Sequence, residues 1–152
     1  MSKVFQRKGE KTMDKIVFHG SPIKGLSEII PRVSTHGKNY VYATENKLLA
    51  ALFTQKWNDF LLNVGYDSEG NLEIVERCKN SLNDIYKNKI GVIYSLNSDN
   101  FIANVTGFDK EVVSENSQIV IAYEEINDSY EYIRQSELDG ALKVYYYPDR
   151  PN

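Results

Sequence analysis

The sequence is poor in the residues that build disulfides and metal centres. It contains one cysteine, Cys78, and two histidines among 152 residues. A single cysteine excludes an internal disulfide, and so few Cys and His residues exclude a zinc-type cluster. We therefore expect no metal cofactor. A Cys78–His nucleophile pair is also disfavoured, because Cys78 lies in the charged segment ERCKN and lacks the small-residue turn that such sites usually have.

Long apolar runs and glycine-rich phosphate motifs are also missing. No apolar stretch approaches the length that spans a bilayer, and the N-terminus lacks the apolar region of a secretory signal. These features predict a cytoplasmic protein that does not contact membranes. The GxGxxG and P-loop patterns do not occur, and strands and helices are intermixed without a regular βαβ period. We therefore expect an α+β fold instead of a doubly wound one.

Charge is distributed unevenly along the chain. Residues 1–15 carry five Lys or Arg and two acidic residues, whereas the rest carries 13 basic and 19 acidic residues. We interpret residues 1–14 as a basic mobile arm. Residues 15–152 are predicted to form a single domain, because a chain of this length supplies one core but not two comfortable ones. The acidic body disfavours nucleic acid as a partner.

The pattern of apolar and turn-forming residues predicts the secondary structure. The predicted strands are 15–18, 39–43, 90–96, 111–114, 118–126 and 141–147, with a hairpin over 60–75 around a turn at 67–71. The predicted helices are 45–57 with Thr44 as N-cap, 76–89, and 129–138 capped by Asp128. Residues 23–31 are predicted to form a turn or a short helix, and 32–38 a loop.

The tetrapeptide Phe18-His19-Gly20-Ser21 places an imidazole, a residue without a side chain and a hydroxyl where a predicted strand runs into a loop. Two interpretations are open. In the first, His19 is structural and its ring nitrogens bond to neighbouring backbone. In the second, His19 donates a hydrogen bond to a ligand, and Gly20 lets that ligand approach the backbone closely.

Two further positions have the same ambiguity. Tyr42 lies at the end of a predicted strand, and Phe53 follows eleven positions later on the apolar face of the predicted helix. Both rings fit a hydrophobic core, and both also fit a site that holds a flat ring between them. Glu111 opens a late strand, from which a carboxylate can point into a cleft. Glu115 and Gln118 are nearby alternatives for the same role.

Together these motifs resemble those of the NAD-dependent ADP-ribosyltransferases, in the branch of diphtheria toxin and the poly(ADP-ribose) polymerases. That family carries His, Tyr and Glu on three separate strands. The matching residues are His19-Gly20-Ser21, then Tyr42 with Phe53 in place of the usual second Tyr, then Glu111. The resemblance runs in order from about residue 15 to residue 126. It implies an ADP-ribosyltransferase-like split β-sandwich of two small, mostly antiparallel sheets with flanking helices.

The resemblance also implies that NAD is the substrate and that no metal is needed. The backbone of Gly20 and the hydroxyl of Ser21 would hold the carboxamide of the nicotinamide. Tyr42 and Phe53 would stack on its ring.

The same resemblance assigns the catalytic residues as Glu111, His19 and Tyr42. His19 would contact the adenosine ribose. Glu111 would bind the 2′-hydroxyl of the other ribose and stabilise the oxocarbenium-like transition state. Arg32, with Lys38, is the candidate for binding the diphosphate.

The function implied is a mono-ADP-ribosyltransferase that moves ADP-ribose from NAD to a macromolecular acceptor, with protein favoured over nucleic acid. Such an enzyme would serve as a toxin, a phage or host-defence effector, or a regulatory enzyme. Three alternatives stay open. The first is a non-catalytic module of the same fold that binds a nucleotide or a protein. The second is an NAD-consuming RNA 2′-phosphotransferase, which the scarcity of arginine disfavours. The third is an interaction protein whose His-Gly-Ser is a turn.

Overall fold

The structure, a computed structural model, describes residues 15–33 and 37–151. The basic arm predicted at residues 1–14 therefore lies outside the described residues, as do residues 34–36 of the predicted loop at 32–38. Within the described ranges, no helix is both long enough and apolar enough to cross a membrane.

The described residues form twelve strands and three α-helices. The strands are β1 (Ile16–Ser21), β2 (Glu28–Ile29), β3 (Arg32–Val33), β4 (Asn39–Thr44), β5 (Leu62–Tyr66), β6 (Leu72–Glu76), β7 (Gly91–Asn97), β8 (Ile102–Ala103), β9 (Glu111–Ser114), β10 (Gln118–Ile119), β11 (Ala122–Ile126) and β12 (Leu142–Tyr145). The helices are α1 (Lys47–Leu52), α2 (Ser81–Tyr86) and α3 (Ser129–Leu138), with a 3-10 turn at Ser98–Asn100.

These strands form three sheets within the described part of the chain. Seven strands form one sheet in the order β11-β7-β1-β4-β9-β8, with β3 paired to β4; β10 pairs with β2, and the third sheet is β12-β6-β5. The pairs β1–β4, β3–β4, β4–β9, β8–β9, β2–β10 and β5–β6 are antiparallel, whereas β6–β12 is parallel. The predicted α+β class with mostly antiparallel sheets is confirmed.

The chain divides into two compact units. Of the described residues, the first comprises 15–19, 25–33, 37–46 and 94–123, and the second comprises 20–24, 47–93 and 124–151. In the first unit, buried Val41 and Ala43 of β4 face the same core as Val112 of β9. In the second, Tyr86 of α2 is buried, and its hydroxyl donates to the carbonyl oxygen of Leu52 at 2.6 Å. A single domain over residues 15–152 stays a prediction.

The helix after β4 is shorter than its sequence predicts, because α1 covers Lys47–Leu52 instead of 45–57. Thr44 belongs to β4, and its hydroxyl oxygen accepts the N–H of Asn46 at 3.0 Å, before the helix begins. At the other end, the hydroxyl of buried Thr54 donates to the carbonyl of Ala51 at 2.8 Å. Gly91 packs so closely against Thr54 that a Cβ at position 91 would lie 2.7 Å from the Thr54 Cβ. Tertiary packing therefore ends the helix early.

Three other segments also differ from prediction. The segment 23–31 forms no helix and contains β2, whose Ile29 pairs with Gln118 of β10. The strand predicted over 118–126 is divided into β10 and β11. The helix predicted over 76–89 is confined to α2. Glu76 stays in β6, where its buried carboxylate accepts the N–H of Leu82 at 2.9 Å.

The hairpin and the third helix are confirmed. In β5–β6, Tyr66 pairs with Leu72, and the N–H of Asp67 donates to the carbonyl of Asn71 across the turn at 2.8 Å. Helix α3 begins after Asp128, whose carboxylate accepts the N–H groups of the first helical turn. Both features follow from local chemistry, since turn and cap residues act on neighbours a few positions away.

The Asp128 cap gives a direct stability test. Its Oδ1 accepts the N–H groups of Tyr130 at 3.0 Å, Glu131 at 3.3 Å and Asn88 at 3.2 Å. We expect Asp128→Ala to lower the free energy of unfolding by about 1–2 kcal/mol, because the helix loses its cap. Asp128→Asn should retain most of the wild-type free energy of unfolding, because asparagine is also a good N-cap residue. Urea unfolding of both variants measures this, and equal stabilities for alanine and asparagine would contradict the assignment.

Candidate functional site

The structure brings the three predicted motif strands side by side. In the seven-stranded sheet, β4 lies between β1 and β9. Phe18 of β1 is opposite Thr44 of β4, and Thr44 is opposite Glu111 of β9. Residues separated by up to 93 positions in sequence therefore share one row across the sheet. Sequence reasoning gave Thr44 only a capping role and missed its place in this row.

Tyr42 and Glu111 lie on the same face of the sheet. Tyr42 is two residues before Thr44, and side chains two apart in a strand share a face. Arg32 is opposite Tyr40 and joins this face by the same argument. His19 follows Phe18, so the alternation gives it the opposite face at this register. The structure links His19 to β4 through the backbone of Tyr42 instead.

That link fixes the chemistry of the imidazole. His19 Nδ1 lies 2.7 Å from the carbonyl oxygen of Tyr42, and a carbonyl can only accept, so Nδ1 carries the hydrogen. Burial lowers the pKa of His19, the bond to Tyr42 opposes this, and the positive charge of Arg32 lowers the pKa further. The ring is therefore neutral at pH 7, and Nε2 is an acceptor. A ligand hydroxyl suits it, whereas the second interpretation of the sequence has His19 donating to the ligand.

The two predicted stacking rings each pack against a neighbour of their own. Tyr42 is half-buried and meets Tyr40 edge-on, with ring centroids 5.9 Å apart. Phe53 lies one residue beyond α1, not on it, and meets Trp57 edge-on at 5.7 Å. The two rings belong to different units. A nicotinamide stacked on both stays a prediction.

Gly20 and Ser21 lie inside β1, which extends to Ser21 where the sequence predicts its end near Phe18. A Cβ on Gly20 would lie 1.9 Å from the carbonyl oxygen of Ala50 in α1. Packing of this strand against the helix therefore requires glycine at position 20, whether or not a ligand binds. Ser21 is buried, and its Oγ accepts the N–H of Ile23 at 3.1 Å.

Three residues were predicted as candidates for the third catalytic position, and the structure gives them different surroundings. Glu115 is exposed and forms an ion pair with Lys38 at 3.6 Å. Gln118 is buried, and its Nε2 donates to Ser114 Oγ at 3.0 Å, which braces the connection between β9 and β10. Glu111 is half-buried at the start of β9. Of the three, Glu111 is the carboxylate placed on the Tyr42 face.

The cationic residues proposed for the diphosphate are both on the surface. Arg32 is exposed in β3, and Lys38 is engaged with Glu115. The structure thus brings Arg32 to the sheet face of Tyr42 and Glu111. Among the residues that the structure describes, no group of three His, Cys, Asp or Glu side chains could hold a metal ion.

Comparison of the chain with protein-family models, with curated proteins and with solved structures finds no match in any of the three.

The tight packing of Gly20 predicts the result of adding one methyl group. We expect Gly20→Ala to lower the free energy of unfolding by about 3 kcal/mol or more, because the new Cβ would overlap the Ala50 carbonyl. Gly65→Ala is the matched control, since that glycine also lies in a strand and has nothing within 4 Å of its Cβ position. Its effect should stay within about 1 kcal/mol. Urea unfolding measures both, and equal effects would contradict the contact.

The buried His19 predicts a pH dependence of stability. Its pKa is lower in the folded state than the ordinary value of 6.5, so below pH 6.5 the unfolded chain binds the proton more readily. The contribution of His19 to the free energy of unfolding should be fully present above pH 6.5, and it should be lost as the pH falls toward the pKa of the folded state. The wild type should lose more stability between pH 7.5 and pH 5 than His19→Gln does. Parallel losses in the two proteins would show that His19 does not carry the effect.

Proposed function

We propose that this chain is an NAD-dependent mono-ADP-ribosyltransferase with the split-sandwich fold of that family. One observation carries the proposal. The three strands that contain the family-like residues His19, Tyr42 and Glu111 are neighbours in one sheet, in the order β1-β4-β9. Nothing in the sequence positions of these residues requires that arrangement.

The reaction breaks the bond between nicotinamide and the ribose carbon, and an acceptor nucleophile forms a new bond to that carbon. Nicotinamide leaves with the bonding electrons, and the acceptor loses a proton to water. Positive charge develops on the ribose in the transition state. A fixed carboxylate beside that charge stabilises it without reorganisation. Glu111 supplies this carboxylate, and its position opposite Thr44 fixes it in β9.

The remaining residues bind and orient NAD in this proposal. Tyr42 offers its ring from the same face as Glu111. His19 alternates to the other face of the sheet at this register, so its assignment to the adenosine ribose is what the resemblance implies; its neutral Nε2 is able to accept a ribose hydroxyl. Arg32, exposed on the Tyr42 face, is suited to the diphosphate. Gly20 and Ser21 would bind the carboxamide of the nicotinamide, as the resemblance implies.

The acceptor is proposed to be a macromolecule, and a protein in preference to nucleic acid. The net charge of −3 on the whole chain supports this choice, because polyanions are repelled by an acidic surface.

The test is nicotinamide release from NAD by the purified chain, with and without cell lysate as a source of acceptors. We expect Glu111→Gln to lower the rate by about two to three orders of magnitude, the effect of losing one preorganised electrostatic group. Glu115→Gln is the matched control, since that glutamate is exposed and paired with Lys38. It should retain the wild-type rate. Release that rises with lysate would identify a macromolecular acceptor.

Other results would redirect the proposal. Equal rates for Glu111→Gln and the wild type would remove Glu111 from catalysis. NAD binding without release would favour a non-catalytic module, and turnover that requires 2′-phosphorylated RNA would favour the phosphotransferase. The absence of both NAD binding and nicotinamide release would contradict the proposal as a whole.

A further inference from the structure

An open groove of about 700 Å³ lies in the second unit. Its walls are the turn of the β5–β6 hairpin, the last part of α3 and the start of β12. This volume falls in the range of small-molecule sites. None of the groove residues has a part in the proposed NAD chemistry, so the groove requires a separate explanation.

Arg134 is fixed on one wall of the groove by two partners. Its Nη1 donates to Glu137 Oε1 at 2.8 Å and to the hydroxyl of Tyr146. The Tyr146 hydroxyl donates to the same Glu137 oxygen at 2.7 Å. Burial raises the pKa of Tyr146 to about 12, so the phenol keeps its proton and goes on donating.

The hydrogen bonds to Glu137 and Tyr146 preorganise the normally flexible side chain of Arg134. A guanidinium carries five N–H donors, and these bonds use one of its three nitrogens. The planar fork matches a carboxylate, and little entropy is lost on binding when the fork is already held. Arg134 is therefore suited to receive the anionic end of a ligand.

An ionised carboxylate lines another part of the groove. Asp67 Oδ1 accepts the N–H groups of Glu69 and Asn71, each at 2.9 Å. These bonds hold the pKa of Asp67 below its ordinary value, and the carboxylate is charged at neutral pH. A cationic ammonium is its natural partner.

The whole lining combines both signs of charge with an exposed leucine. It includes two cationic residues, Arg134 and Lys143, and two acidic ones, Asp67 and Glu137, and Glu137 is paired with Arg134. The lining therefore has no net charge and favours neither a simple anion nor a simple cation. Exposed aliphatic surface comes from Leu138, which is 74% exposed, whereas Leu72 and Leu142 are buried.

We propose that this groove binds a short aliphatic peptide of two or three residues with free amino and carboxyl termini. The carboxylate bonds to Arg134 and the ammonium to Asp67. An aliphatic side chain of the peptide lies against the exposed Leu138. A zwitterion satisfies both signs of charge at once, and a peptide of this length uses the volume better than a single amino acid does.

The test is isothermal titration of the full chain with the dipeptide Leu-Leu at pH 7 and low ionic strength. N-acetyl-Leu-Leu lacks the ammonium, and Leu-Leu amide lacks the carboxylate. We expect Leu-Leu to bind and each blocked form to bind at least about ten-fold more weakly, the loss of one charge-assisted contact.

Two variants with matched controls locate the site. Asp67→Asn removes the charge but keeps an oxygen for the turn hydrogen bonds, and it should weaken Leu-Leu binding at least about ten-fold. Its control is Asp84→Asn, an exposed acid on α2 that does not line the groove. Arg134→Gln should also weaken Leu-Leu binding at least about ten-fold. Its control is Arg77→Gln. Thermal unfolding checks that each variant is folded.

The proposal is overturned if Leu-Leu does not bind at millimolar concentration. It is also overturned if N-acetyl-Leu-Leu or Leu-Leu amide binds as well as Leu-Leu, which would indicate a site for a simple anion or cation. Equal affinities for Asp67→Asn and Asp84→Asn would place the binding elsewhere on the protein.

Discussion

The antiparallel pairing of β4 with β9 is the constraint on which the proposed site depends. Four residue pairs, from Val41 with Ser114 to Thr44 with Glu111, fix the register. A slip of one residue would move Glu111 to the other face of the sheet, and the buried Val112 and Val113 would exchange faces. The packing on both faces of β9 therefore also decides where the carboxylate points.

Close backbone packing has a comparable role in the second unit. Gly20 lies against the Ala50 carbonyl, and Gly91 lies against Thr54, so two glycines let strands approach the end of α1. The same contacts explain why α1 ends at Leu52 despite the favourable sequence beyond it. A glycine that a motif marks as functional can thus be required by packing alone. Activity lost on substituting Gly20 would not distinguish the two roles.

The proposed activity and the proposed peptide groove rest on different chemistry. The first uses a carboxylate and a neutral imidazole from the two strands on either side of β4. The second uses a guanidinium held by Glu137 and Tyr146, and a carboxylate held by its own turn. In both, hydrogen bonds behind a functional group set its orientation and its protonation state. Neither arrangement is visible in residue spacing, except for the three-residue step from Arg134 to Glu137 in a helix.

The sequence by itself determined the local elements: the hairpin after Leu62, the Asp128 cap, strand β9 and the α+β class. These depend on turn chemistry, capping and periodicity, which act between residues a few positions apart. Only the tertiary structure decided where α1 ends, that β1 includes His19, and that β1, β4 and β9 are neighbours. The tautomer of His19 and the surroundings of Glu111 were decided in the same way. Strand order and burial depend on contacts between distant residues, and one sequence read locally does not contain those contacts.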